Sequence, residues 1–335
     1  MPLPDRARVA LLALATSVTL AACDAGDPGG RGGADRGPVD LPGVASSAVG
    51  EELVEQDTPG KVVAVDVERD ITVDQLTAVF EEIDELAPDE TIVTLACRTA
   101  TTELADQDDT CDVARSSIGT AQGPSRHGAE VLLAASRAFP EAVVTVRSRT
   151  EVGIDLGTPR PDDVAAALDQ VRSDPVLSAA GELTVGSGSR SPDPRFTVVT
   201  APPLTDSTIA LWRSLAPTLP TLQLDRGAAL SLQVGTEGTG IVAGIEAPGV
   251  VPPEQLTPAS HGPELWPFLH AQLDVVATLP PGSTYTVRNA YRLVADGTPH
   301  GNDTFVEIAV GEPGEPDDLG RTWNVEAAAY LASMS

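Results

Sequence analysis

From Lys61 onward the chain alternates two kinds of apolar pattern. Short runs of four to eight residues rich in Val and Ile read as strands: KVVAVDV (61–67), TIVTLAC (91–97), AVVTVRS (142–148), EVGIDL (151–156) and ELTVG (182–186). Between them lie longer stretches with apolar residues at helical spacing, over 73–87, 127–139 and 161–173. In the first of these Leu76, Val79, Phe80 and Ile83 share one face, Thr72 is placed to cap it and Pro88 to end it. In the third, Pro161 suits a first helical position, and Asp162 and Asp163 complement the helix dipole.

The order over 91–186 is β-α-β-β-α-β, and it returns from Phe196. FTVVTA, TLQL, ALSLQVG, TGIVAGIEA, STYTVRNAYRLVA and TFVEIAVG read as strands; DSTIALWRSLA and PELWPFLHAQLDVVATL read as helices. The pattern predicts an α+β fold of two tandem ferredoxin-like (βαββαβ) domains with antiparallel sheets, at 61–186 and 196–335, joined by a breaker-rich linker at 187–195. Three helix–strand–strand segments share a spaced Pro, Arg and Gly: Pro140, Arg147 and Gly157; Pro220, Arg226 and Gly235; Pro281, Arg288 and Gly297. Pro stops helices and Gly eases turns, so two of these marks also arise without duplication.

Residues 24–60 hold almost no large apolar side chains and many Gly, Pro and Asp, which predicts a flexible tether over 23–60. A coil of that length reaches roughly 35 Å. Ahead of it, Arg6 and Arg8 form a basic start, Val9–Leu20 an apolar run too short to span a bilayer, and small residues follow. The stretch ends Leu20-Ala21-Ala22-Cys23, which resembles the lipobox of bacterial lipoproteins at each position. That resemblance covers residues 1–23 only. It implies cleavage between Ala22 and Cys23, lipid on the Cys23 thiol, and anchoring at the extracytoplasmic face of the cell membrane. Two or more acyl chains suffice for stable anchoring.

Composition narrows the partners. With 21 Lys+Arg against 49 Asp+Glu, the formal charge is −28, and losing Asp5, Arg6 and Arg8 with a leader makes it −29. Such a field repels phosphate backbones, so no nucleic-acid partner is expected. Lys61 is the only lysine, and with abundant Ala, Gly and Pro this is the residue usage of a GC-rich, actinobacterial coding sequence. Cores must be aliphatic, since only 3% of residues are aromatic.

Of three cysteines, Cys23 is assigned to lipid, which leaves Cys97 and Cys111. In an oxidising compartment they suit a structural disulfide, worth about 3 kcal/mol for a loop of some 15 residues. Two free cysteines are the alternative, as is a redox pair, which usually has the tighter Cys-x-x-Cys spacing.

The search for chemistry predicts no catalytic centre, no metal and no cofactor. Gly-x-Ser-x-Gly is absent, and one lysine at a strand start cannot build Ser-x-x-Lys. Gly235, Gly238 and Gly240 lie between two strands, as a hairpin requires and a phosphate loop does not. His127, His261, His270 and His300 are scattered; His261 and Glu264 are near in sequence, but His270 falls on another helix face. Asp106, Asp108, Asp109 and Asp112 lack calcium-loop spacing, and Asn302-Asp303-Thr304 matches a glycosylation acceptor by spacing alone. On AVVTVRSR and YTVRNAYRL, alternation puts Arg147, Arg149, Arg288 and Arg292 opposite the apolar positions, as a docking surface for an anionic wall polymer or envelope protein or as plain charge balance. The expected function is a non-catalytic binding or structural role at the envelope. The alternatives are an envelope hydrolase working through carboxylates, or a solute-binding lipoprotein of a transporter with a cleft near 187–195.

Overall fold

A near-continuous apolar run such as KVVAVDV is the pattern of a strand inside a sheet covered on its faces. In the computed structural model it forms the middle of β2 (Thr58–Glu68), between antiparallel β1 (Val44–Glu55) and parallel β3 (Ile92–Arg98). The structure describes residues 39–335, except 56–57, 69, 87–91, 99–110, 115–125, 141, 148–150, 158, 187–195, 202, 220–227, 237, 246–252, 290–302 and 335. β4 (Cys111–Ala114) completes a four-stranded sheet, and α1 (Val73–Leu86) and α2 (Arg126–Ala138) pack beside one another.

β1 corrects the predicted tether. Val44–Glu55 has few large side chains, but a strand is held through its backbone, here along β2 from Val44 opposite Val67 to Glu55 opposite Thr58. Ahead of it, Val39 is buried and exchanges hydrogen bonds with the Ser47 hydroxyl at 2.9 and 3.2 Å.

The remaining strands make one eight-stranded sheet. They are β5 (Val143–Arg147), β6 (Glu151–Asp155), β7 (Glu182–Gly186), β8 (Phe196–Thr200), β9 (Ala229–Gly235), β10 (Gly238–Ile245), β11 (Thr284–Asn289) and β12 (Asp303–Ala309). They lie side by side in chain order, with antiparallel pairs alternating with parallel ones. The parallel pairs are bridged by α3 (Pro161–Ser173) with the short α4 (Pro175–Ser178), by α5 (Asp206–Leu215), and by α6 (Pro258–Val276). A last helix, α7 (Trp323–Met334), packs along β12, where the Asn324 side chain accepts the edge N–H of Glu307 at 2.8 Å.

Cross-strand register turns the alternation within each strand into a continuous core row: Val144, Ile154, Val185, Val198, Leu232, Ile241, Tyr285 and Ile308. All eight are buried, under the helices. The helices are linked in turn: Gln170 of α3 donates to the Ala138 carbonyl of α2 at 2.6 Å, Arg213 of α5 pairs with Asp169 of α3, and Tyr330 of α7 donates to Asp274 of α6 at 2.7 Å. Two fully buried indoles span the layer, Trp212 donating to the Pro161 carbonyl at 3.0 Å and Trp323 to that of Leu256 at 2.7 Å.

The chain is thus a mixed α/β protein whose strand order differs from the ferredoxin-like expectation. In that unit a third strand separates the two strands that a helix joins, whereas here they are hydrogen-bonded neighbours. Nor does the sheet stop at 187–195: β7 on one side pairs antiparallel with β8 on the other, from Leu183 opposite Thr200 to Gly186 opposite Thr197.

Candidate functional site on the helix-free sheet face

Positions that alternate with the core row face away from the helices. One row runs Thr184, Val199, Gln233, Gly240, Thr284, and the next Gly186, Thr197, Ser231, Val242, Thr286. Over β7–β11 none of these ten positions is ionisable, in a chain with a formal charge of −28, and the second row meets Asp155 on β6 and Glu307 on β12. They are small, and hydroxyls and one amide supply most of their polarity.

Val199, Gln233, Gly240 and Thr284 of the first row line an open depression of about 510 Å³. Gly240 makes the room: a Cβ there would stand 3.3 Å from the Thr284 hydroxyl and 3.8 Å from the Gln233 side chain. Gly238 at the start of β10 and Gly282 in a turn, both at positive φ, border it without side chains. Glu182 contributes a carboxylate to the rim, and the lining includes no Lys, Arg or His. This surface offers hydrogen bonds and one negative charge, so it suits neutral or cationic groups and disfavours anions.

The structure disperses most of the residues singled out from sequence. Ala22, Cys23, Arg149, Arg292, His300, Asn302, Asp106, Asp108 and Asp109 lie outside the described residues. Arg147 stands opposite Glu151 in the β5–β6 ladder, an opposite-charge cross-strand position. Arg288 is exposed on the helix-free side, opposite Gly244 and Thr304. Six strand spacings, roughly 29 Å, separate β5 from β11, so these two arginines do not form one cluster. Gly235 and Gly238 close the β9–β10 hairpin, as their position between strands implies. His261 meets its neighbour Ser260, Nδ1 to Oγ, at 2.8 Å in the first turns of α6, and His127 lies 3.9 Å from Glu130. Among the described residues, no group of three His, Cys, Asp or Glu could hold a metal ion.

Two constellations escape sequence reasoning. Arg321 is buried and uses all three guanidinium nitrogens: Nε to Asp317, Nη1 and Nη2 to both Asp303 oxygens at 2.6 and 3.0 Å, and the same two to the carbonyls of Pro253 and Thr304 at 3.0 and 2.7 Å. Burial opposes its charge, but the hydrogen bonds and charges of Asp303 and Asp317 outweigh burial and hold its pKa above the ordinary arginine value. The only sequence trace is an arginine four residues after Asp317 in an acidic loop. Between α6 and α7, His270 is sandwiched by Trp266 at 4.9 Å and Tyr330 at 4.1 Å. Both constellations clamp α7 and its approach to the sheet.

No protein-family model, curated protein or solved structure matches this chain.

Proposed function

We propose that this chain is a lipid-anchored, extracytoplasmic protein of the cell envelope that binds a partner, without catalysing a reaction, on the helix-free face of its sheet. The anchor rests on the leader of residues 1–23, with its basic start, apolar run and Leu20-Ala21-Ala22-Cys23 ending. The binding role rests on one observation: among the described residues the sheet carries helices on one side only, and its other face holds a glycine-lined depression whose one ionisable lining residue is Glu182. Depressions of ~300–1,000 Å³ are the usual size for ligand sites. Only one carboxylate, Glu182, lines it, whereas carboxylate-based hydrolysis works through two.

The partner is an uncharged or cationic group of a wall polymer or envelope protein.

Two measurements test this reading. Radiolabelled palmitate fed to expressing cells should enter the wild-type chain and not the Cys23→Ser variant; equal labelling rejects the anchor. Purified cell-wall sacculi and detergent-extracted envelope should retain the wild-type chain at least tenfold better than Gly240→Trp, in which an indole fills the depression. Equal retention of a folded Gly240→Trp rejects the face.

A further inference from the structure

Cys97 and Cys111 are 14 positions apart in the chain, yet they are direct partners in the antiparallel β3–β4 ladder. Opposed residues of such a ladder have Cα atoms ~4.5–5.5 Å apart. A disulfide needs ~4.4–6.8 Å. β4 is also the strand with least to hold it. Its ladder consists of two paired positions, Leu95 with Ala114 and Cys97 with Cys111, and the register shifts between them, so that Asp112 and Val113 stand opposite the single residue Ala96. Such a bulge costs ladder hydrogen bonds. On its other side β4 contacts β5 without joining the eight-stranded sheet, so it lies at the junction between the two sheets.

We infer that Cys97 and Cys111 form a cross-strand disulfide that staples β4 to β3 and substitutes a covalent link for the backbone pairing this short, bulged strand lacks. The inference rests on the extracytoplasmic reading for its oxidant, a protein dithiol–disulfide carrier of the envelope. One thiolate attacks the carrier's disulfide, displacing a carrier thiolate and forming a mixed disulfide. The second cysteine thiolate then attacks the chain's own sulfur in that bond and displaces the other carrier thiolate. Two electrons pass to the carrier, two protons leave the cysteines, and the chain gains one S–S bond. The Cys-x-x-Cys spacing of redox catalysts is absent, so the bond is structural and persists.

The experiment uses the full-length chain expressed with its leader in a host that exports and lipidates it, extracted in detergent under iodoacetamide. A non-reducing peptide map should show the peptides bearing Cys97 and Cys111 joined, ~2 Da lighter than their sum, separating on reduction. Carbamidomethyl on both residues overturns the inference. Amide exchange over 111–114 should speed on the order of a hundredfold in the Cys97→Ser, Cys111→Ser double variant, as it should in reduced wild type. Exchange equal to that of the oxidised wild type overturns the stapling role. The same digest reports acylation of Cys23. Joined peptides with a bare Cys23 uphold the disulfide and sink the anchor, whereas alkylated thiols with an acylated Cys23 do the reverse.

Discussion

Arg321 shows why a single residue can matter out of proportion to its visibility. Its side chain is 3% exposed, and those of Asp303 and Asp317 are 11% and 18% exposed, so removing the guanidinium strands two carboxylates in a poorly solvated place. Arg321→Met should destabilise the protein by about 3–5 kcal/mol, the usual penalty for breaking a buried pair by removing one partner. Chemical denaturation of the variant against wild type measures it, and a loss below ~1 kcal/mol would show the network to be dispensable. Tyr285 sets a limit on alkaline stability. It is fully buried, donates to the Gln272 side chain at 2.6 Å, and burial pushes its phenol well above the ordinary value near 10. A pKa raised in the folded state gives stability that is complete below pH 10 and lost as pH climbs above it, by up to ~1.4 kcal/mol per unit. Absorbance at 295 nm should show Tyr285 ionising only as the protein unfolds. Tyr285→Phe should flatten the fall in stability above pH 10; an unchanged slope would assign the fall elsewhere.

At the scale of elements, local rules were legible wherever a cap and a pattern coincided. α1 begins after Thr72, whose hydroxyl accepts the Gln75 N–H at 3.3 Å while Gln75 accepts the Thr72 N–H at 2.8 Å. α3 spans Pro161–Ser173 and β7 Glu182–Gly186, as the sequence pattern implies. α6 starts five residues earlier than predicted, at Pro258, because Thr257 and Ser260 form a reciprocal cap stronger than the pull of Pro263 toward a first-turn position. α7 went unread: it is apolar on nearly every side, so no face stands out, and its docking onto β12 and α6 is what orders it. Gly186 is where an element most depends on one residue. It sits at φ +138, and a Cβ there would lie 2.0 Å from the Phe196 carbonyl oxygen on β8. Gly186→Ala should therefore lower stability by about 1–3 kcal/mol and loosen the β7–β8 pair. Thermal melts and amide exchange over 182–200 would reveal it, and a melting temperature unchanged from wild type would mean that β8 yields without cost.

For the whole molecule, the decisive event is that each new strand adds to the same edge. β6–β7 and β8–β9 run in opposite senses, yet their helices lie on one face and the sheet grows one way, so the hand of successive crossovers alternates. The right-handed preference for such crossovers favours other strand orders, and crossovers that alternate in hand cannot all obey it. The same growth in one direction keeps Arg147 and Arg288 on remote strands. Arg288→Glu with Arg292→Glu should accordingly leave retention on sacculi within about twofold of wild type, because the central rows and not the arginines carry the proposed contact. A tenfold loss would restore the anionic docking surface in place of the helix-free face.

The sequence alone determined the capped helices and the in-or-out alternation of strands such as β7, β8 and β9, because each depends on neighbours within a turn or two of chain. Tertiary structure decided the rest. That β1 is a strand despite its weak composition, that 187–195 joins two paired strands of one sheet, that Cys97 and Cys111 are paired positions of the β3–β4 ladder, and that Gln233, Gly240 and Thr284 share a depression all depend on which backbones hydrogen-bond side by side. Backbone pairing is nearly blind to side-chain identity. It is selected by the burial of the whole apolar row at once, and that row exists only when all eight strands are in place.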